Sequence, residues 1–325
     1  MAHVTQRIPR LDRKDLLRLA TFWLRPAFVL RVLNRFQKIA GFDRAIALAS
    51  SALTALIPLS IIASLVRSAL GGKDTAERII ERYDLTGGGA EAVKDIFSPP
   101  SGTTTSIGLV GVFFLLIAVL SFTRGMQRLF EQTWELKPLS VRNTLNGLRW
   151  IAGLAIYLTA SGVLHALFGH TKLELSANLL VIPLSAAFFV WSGYVLSAKR
   201  IPWRDLRAFG VVGAVLSGCY AIGATVYVPH LFSTYATRYG VIGAVFAMIS
   251  TLFCVMVVIV GSAAAGREVH EELQKIRRGE QPPEDEIRRE WEEVIAEARS
   301  RYAVARQAIE ERRRKRRERK AAKSS

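Results

Sequence analysis

The chain has 325 residues, half of them hydrophobic, and a formal net charge of +17 at neutral pH. Its two cysteines exclude a disulfide framework and a cysteine-based metal site. The hydrophobic residues gather in six long segments, which exclude an outer-membrane barrel and predict an all-α protein of the membrane.

The N-terminal segment, residues 1–44, carries ten basic residues and lacks the apolar core and cleavage site of a signal peptide. Apolar residues recur at helical spacing in its second half, with Arg31, Arg35 and Lys38 on the other side. This pattern predicts an amphipathic helix in the inner headgroup region, where the three basic residues contact anionic lipid. The alternative is an ordinary cytoplasmic helix that packs on the protein's own loops.

Six apolar segments follow, and each is long enough to cross a hydrocarbon core of about 30 Å as an α-helix. Lipid cannot satisfy the polar groups of the backbone, so each segment must be helical. Together they form a predicted transmembrane domain over residues 45–265. The six predicted spans are 45–66, 106–122, 148–168, 179–197, 209–232 and 241–265.

The first span is unusually rich in hydroxyl groups, among them Ser51 and Thr54, and has Pro58 near its middle. Proline removes a backbone donor and frees a carbonyl deep in the membrane. A kinked helix with inward hydroxyls is a candidate part of a substrate path. The alternative is a packed kink whose hydroxyls bond back to their own helix.

Basic residues are unevenly distributed among the connections between the spans. The loops 123–147 and 198–208 carry four each, whereas 169–178 and 233–240 carry one each. The longest outer connection, 67–105, is predicted to form short helices that cap the bundle. Basic connections stay in the cytoplasm, and an even number of spans places both basic termini on that side. We therefore predict a multi-pass protein of a bacterial inner membrane with both termini cytoplasmic.

Polar residues lie near the predicted outer ends of the third, fifth and sixth spans. His165 and His230 lie there on the third and fifth spans, and Tyr239, Gly240 and Gly243 open the sixth. Such a cluster suits an anionic headgroup, so these residues join the candidate substrate path. The plainer interpretation is that they are ordinary residues of the membrane interface.

Small residues mark where helices are expected to approach each other closely, because helix association in lipid depends on close packing. The fifth and sixth spans carry them at helical spacing. The predicted packing positions are Gly213, Gly218, Gly243, Ala247 and Gly261.

The tail, residues 266–325, is highly charged and predicted to be helical and cytoplasmic. An apolar stripe in 284–325 indicates either a homo-oligomer or a cytoplasmic partner. The basic run that includes Arg312, Arg313 and Arg314 is predicted to lie on anionic lipid, and no specific nucleic acid is expected.

The residues that catalysis or ion coupling requires are missing from the sequence pattern. No span carries a buried carboxylate, and the five histidines show no paired ligand spacing. No phosphate-binding loop and no nucleophile elbow occur. We therefore expect neither an enzyme nor a bound metal or cofactor.

Three stretches of the sequence carry a family resemblance. They are Phe42-Asp43-Arg44 before the span with Pro58, SFTRGMQRLFEQTWEL at 121–136, and the last span with Tyr239, Gly240, Gly243, Ala244 and Gly261. Together these stretches resemble the YihY/virulence factor BrkB family of bacterial inner-membrane proteins. The chain departs from that family's pattern at Glu131, where the family often has Asn, and at Ala263, where it often has Glu.

The resemblance implies a six-helix inner-membrane protein, from a family linked to export of envelope lipids or solutes that also carries an old ribonuclease label. Our first hypothesis is a transporter or lipid-handling protein of unknown substrate. The alternative is a non-transporting scaffold that acts through the tail. Ribonuclease activity is not expected, since the chain offers no paired acid and base.

Overall fold

The computed structural model describes residues 25–70, 87–97, 105–138, 144–168 and 174–280, with single residues in 77–81 and 285–299. The side chains of 57–70, 105–112, 165–168, 174–180 and a few other positions are outside this description. All regular secondary structure among the described residues is α-helical, which confirms the predicted all-α class. The helices are α1 Pro26–Lys38, α2 Gly41–Leu70, α3 Gly88–Phe97, α4 Thr105–Thr133, α5 Thr144–Phe168, α6 Glu174–Leu196 and α7 Arg207–Arg277.

The chain divides into two compact units. One unit comprises residues 39–270 and contains all six predicted spans; the other comprises 1–38 together with 271–325. The first unit holds the helix bundle, and the second joins the two terminal segments of the chain.

The long helix α7 is a hairpin rather than a single rod. Gly240 has φ 60° and ψ −137°, a conformation open to glycine and strained for other residues. The Tyr220 hydroxyl lies 3.3 Å from the carbonyl oxygen of Thr251, although 31 residues of straight helix would span about 46 Å. Nearer the ends, a Cβ on Gly266 would lie 2.4 Å from Cα of Phe209. The arms 207–239 and 241–277 therefore run antiparallel.

The helices of the bundle alternate in direction along the chain. Apart from the short α3, each helix contacts the next at a glycine. These contacts pair a residue in the first half of one helix with a residue in the second half of the other, as antiparallel neighbours do. The contacts pair Gly125 with Leu48, Gly147 with Thr123, Gly153 with Trp191 and Gly210 with Val190. The start of α2 therefore shares one end of the bundle with the end of α4, the start of α5 and the end of α6. We call this the basic end, because it carries Arg44, Arg124, Arg128, Arg149 and Arg200.

Two buried clusters hold the bundle together. At the basic end the ring of Phe209 packs edge-on against Phe130 and Phe189, with centroids 5.2 and 5.5 Å apart. At the opposite end, α3 inserts Val93 among Val228 and other apolar residues of the α7 arms. The predicted capping helix of the 67–105 connection thus exists as α3 and contributes to the second cluster.

Much of the bundle's surface is apolar. Within the described residues, three helices are long and apolar enough to cross a membrane: Phe113–Thr133, Leu145–Leu164 and Arg207–Arg277. The pair Pro26–Lys38 and Gly41–Leu56 gives a fourth if counted as one broken span. Apolar side chains on these helices face outward, as a lipid-facing surface requires. They include Phe113, Phe114, Ile156, Leu158, Val215, Ile222, Val226 and Phe246. The count of six spans stays a prediction.

Candidate functional site

Two hydroxyl groups of the predicted substrate path in α2 form hydrogen bonds within the helix itself. The Ser51 hydroxyl donates to the Ala47 carbonyl and the Thr54 hydroxyl donates to the Ser50 carbonyl, each at 2.9 Å. In each bond a side-chain hydroxyl donates to the carbonyl oxygen four residues earlier, as serine and threonine often do inside a helix. The side chain of Pro58 lies outside the described residues. These hydroxyls therefore do not form a polar track by themselves, although Ser51 also lines a groove described below.

The described residues of the predicted outer cluster differ in their exposure. Tyr239 and Gly240 lie exposed at the turn of the α7 hairpin, and His230 is exposed on the first arm. Gly243 is buried instead: a Cβ there would lie 2.0 Å from the carbonyl oxygen of Tyr235. Its small size allows the chain to reverse and leaves no room for a ligand. The side chain of His165 lies outside the described residues.

The predicted packing glycines behave in two different ways. A Cβ on Gly213 would lie 3.0 Å from the ring of Phe189, and Ala247 is fully buried. At Gly218 and Gly261 an added Cβ would meet no atom within 4 Å, so neither marks a close helix contact in the described bundle. Helical spacing identifies a face of small residues, but it does not tell which turns of that face meet a neighbour.

Two of the three basic residues assigned to lipid in α1 have protein partners. Arg31 forms a 2.9 Å ion pair with Glu272, and Arg35 forms one of the same length with Glu271. These contacts favour the alternative in which α1 packs on the protein's own helices. Lys38 is exposed. The other predicted lipid contacts, Arg312, Arg313 and Arg314, lie outside the described residues.

A groove of about 770 Å³ lies between α2 and α4 at the basic end. Two helical stripes line it, because residues three or four apart share one face of a helix. The α2 stripe includes Arg44, Ala47 and Ser51; the α4 stripe is Ile117, Ser121, Arg124, Arg128 and Gln132. The groove was not predicted from the sequence.

The polar part of the groove is strongly cationic. Arg44, Arg124 and Arg128 line it with a single carboxylate, Asp43. Arg44 donates to the Ile39 carbonyl at 3.2 Å and also to the Gln132 side chain. It precedes the apolar run of α2, and burial lowers the pKa of its guanidinium, with the charge of Arg128 lowering it further.

The floor and the wall of the groove are apolar. At the floor a Cβ on Gly125 would lie 2.7 Å from Cδ2 of Leu48, so α2 and α4 touch there. Leu120 and Ile117 continue the lining away from the arginines. The groove therefore joins a cationic mouth to an apolar wall.

A sequence signal for the groove existed in the segment 121–136. Ser121, Arg124, Arg128 and Gln132 follow one helical stripe that begins at the end of the apolar run 106–122. Topology alone is enough to explain these arginines in the sequence, since basic residues collect at the cytoplasmic ends of spans in inner-membrane proteins. Only the structure brings Arg44 to the same stripe.

A buried ion pair lies beside the groove. Glu131 is buried and accepts a 3.0 Å hydrogen bond from Arg200. Arg200 also donates to the carbonyl of Ser197 at 2.9 Å and to that of Lys137. One guanidinium thus ties the end of α6 to the end of α4.

Helices with an apolar exterior and alternating directions define a polytopic helical membrane protein. Comparison with known proteins narrows this class. The family described as Virulence factor BrkB matches residues 32–287, and the chain belongs to that family. This confirms the resemblance found in the sequence.

The chain is also similar to relatives that are named membrane proteins. UPF0761 membrane proteins of two Coxiella burnetii strains, RSA 493 / Nine Mile phase I and Dugway 5J108-111, are each 26% identical to this chain over 245 residues. The match covers 69% of this chain and 86% of each relative. No solved structure matches the chain significantly.

Proposed function

We propose that the protein crosses a bacterial inner membrane six times with both termini in the cytoplasm. The alternating helix directions and the hairpin of α7 support six antiparallel rods. The concentration of arginine at one end supports a cytoplasmic position for that end.

Cysteine labelling tests this topology. Cys219 and Cys254 are replaced first, and single cysteines are placed at exposed Glu91 on α3 or exposed Lys137 at the basic end. A membrane-impermeant maleimide should label Glu91→Cys in intact spheroplasts and Lys137→Cys only after lysis. The reverse pattern would contradict the orientation.

We further propose that the protein is a transporter or lipid-handling protein of the cell envelope, without covalent chemistry of its own. The observation that supports this is the groove between α2 and α4. A cationic mouth next to an apolar wall suits a molecule with a charged head and a hydrocarbon part. Small-molecule sites are likewise concave and mostly apolar, with a few placed polar groups.

Movement of lipid by reconstituted protein tests the proposal. Liposomes carrying fluorescent phospholipids or solutes are compared with and without the purified full-length chain. Ala47→Trp should fill the groove and slow movement, because Ala47 lines it. Ile222→Trp is the matched control, since Ile222 is 75% exposed on the apolar surface. No movement of any substrate in a broad panel, or equal rates for both variants, would contradict the proposal.

A non-transporting scaffold is the second candidate function. It is supported by the separate compact unit formed by 1–38 and 271–325. Deleting 284–325 discriminates the two functions. A scaffold should lose its copurifying partners and its cellular phenotype, whereas a transporter should keep most of its flux.

A further inference from the structure

We propose that Arg44, Arg124 and Arg128 form a binding site for the phosphate headgroup of an amphiphilic lipid whose hydrocarbon part lies along the apolar wall of the groove. This inference deepens the proposed function by naming the class of ligand.

The charge balance of the groove favours an anionic ligand. Three guanidinium groups line it against one carboxylate, Asp43. Within the described residues neither Arg124 nor Arg128 has a carboxylate partner, in contrast to Arg200, which is paired with Glu131. Among the described residues, the lining of the groove therefore carries an excess of positive charge.

Guanidinium chemistry favours phosphate as that anion. The planar fork of arginine presents several N–H donors that match a phosphate bidentately, and these charge-assisted bonds are stronger than neutral ones. Ser121 adds a hydroxyl on the same stripe as Arg124 and Arg128. A tetrahedral dianion can accept bonds from several arginines at once, which a single carboxylate does less well.

The shape of the groove favours a lipid over free phosphate. Its volume of about 770 Å³ exceeds what a phosphate ion fills, and Leu48, Leu120 and Ile117 line the remainder. Ile117 is half exposed on α4, so the apolar wall is continuous with the outer surface of the helix. A hydrocarbon chain can leave the groove there without meeting a polar barrier.

The position along α4 agrees with this ligand. Arg124 and Arg128 follow directly on the apolar run 106–122, at the depth where lipid phosphates meet a bilayer's hydrocarbon core. General attraction between basic residues and anionic lipid would act at this depth too, so the test must separate a built site from a charged surface.

Native mass spectrometry of the full-length protein in an uncharged detergent supplies that test. The probes are phosphatidic acid, diacylglycerol with the same chains, and inorganic phosphate. We expect phosphatidic acid to bind, and both partial ligands to bind at least tenfold more weakly. Inorganic phosphate binding as tightly as phosphatidic acid would overturn the lipid assignment, and equal binding of diacylglycerol would overturn the role of the phosphate.

Matched variants locate the site. Arg124→Gln and Arg128→Gln should each weaken phosphatidic acid binding about tenfold or more, as loss of a charge-assisted bond predicts. Asp43→Asn should strengthen it severalfold by removing the opposing charge. Arg204→Gln is the control, because Arg204 is exposed in the connection between α6 and α7. Each variant must elute as a monodisperse species with an unfolding temperature near that of the parent protein.

The outcomes separate this inference from the proposed function. Equal losses from Arg204→Gln and Arg124→Gln, or no gain from Asp43→Asn, would reduce the site to general electrostatic attraction and overturn the inference. Lipid movement that persists in Arg124→Gln/Arg128→Gln would also overturn it while leaving the transport proposal intact. Specific binding without any movement in liposomes would retain the site and contradict transport.

Discussion

At the scale of single residues, the basic end is organised by which charges have partners. Arg200 satisfies the buried carboxylate of Glu131 and two backbone carbonyls. Arg124 and Arg128, on the same helix as Glu131, face the groove instead. Neighbouring charges on α4 thus differ in role: Glu131 is paired with Arg200, whereas Arg124 and Arg128 line the groove without a carboxylate partner among the described residues, and the difference follows from which face of α4 each occupies.

The structural pair can be tested by removing one partner at a time. Arg200→Gln breaks the ion pair of the buried Glu131 carboxylate and should cost about 3 kcal/mol, at the low end for a buried pair because Arg200 is partly exposed. Glu131→Gln should cost less, since Arg200 keeps both carbonyl partners. The double variant should recover part of the loss. Thermal unfolding in detergent measures the effect, and additive losses would show that the two side chains are not coupled.

At the scale of elements, glycine decides where helices touch. Spacing predicted a packing face on the last span, and Gly243 and Ala247 are indeed buried in the structure. Gly261 carries the same small-residue signal but faces open space. The sequence could not separate them, because the contact at Gly243 depends on a chain reversal at Gly240 that brings back the carbonyl of Tyr235. The spacing of small residues does not reveal the backbone conformation of Gly240 on which this contact depends.

Two alanine substitutions test this distinction within a single helix arm. Gly243→Ala should destabilise the protein by about 1–3 kcal/mol, because the new methyl group would overlap a backbone carbonyl that cannot move freely. Gly261→Ala meets no atom and should be neutral or stabilising by up to about 1 kcal/mol through helix propensity. Unfolding temperatures in detergent compare them. A similar loss in both variants would mean that the hairpin contact is not the cause.

The hairpin turn itself makes a separate prediction. Gly240 has a φ of 60° with a ψ of −137°, which lies outside the left-handed region that asparagine tolerates. Gly240→Ala and Gly240→Asn should therefore both lower the free energy of unfolding, by about 1–3 kcal/mol. Gly218→Ala, on the same helix at a position with open space, is the control. Rescue by asparagine would indicate an ordinary left-handed turn instead.

At the scale of the whole molecule, the sequence predicted the helical class and the location of the long apolar helices, because periodicity and length are local properties. It did not predict the groove, which needs Arg44 from α2 and Arg124 from α4 on facing stripes. It also assigned Arg31 and Arg35 to lipid, since a basic amphipathic helix looks the same whether it contacts headgroups or acidic residues 236 or more positions away. The sequence pattern did not reveal which distant segments contact each other.

The terminal unit supplies the last prediction. Arg31 and Glu272 form a pair whose side chains are only 11% and 4% exposed, so a substitution here breaks a buried ion pair. Nearby, the amide of Asn34 donates to Glu293 at 2.9 Å, which ties α1 to the tail a second time. Arg31→Glu should release the tail, and faster proteolysis after residue 280 in the folded protein would reveal it. Arg31→Glu/Glu272→Arg should restore protection, because the charges are exchanged but the pair remains. If α1 instead lay on lipid, the double variant would be no better protected than Arg31→Glu, and only loss of membrane binding by the N-terminal segment would be seen.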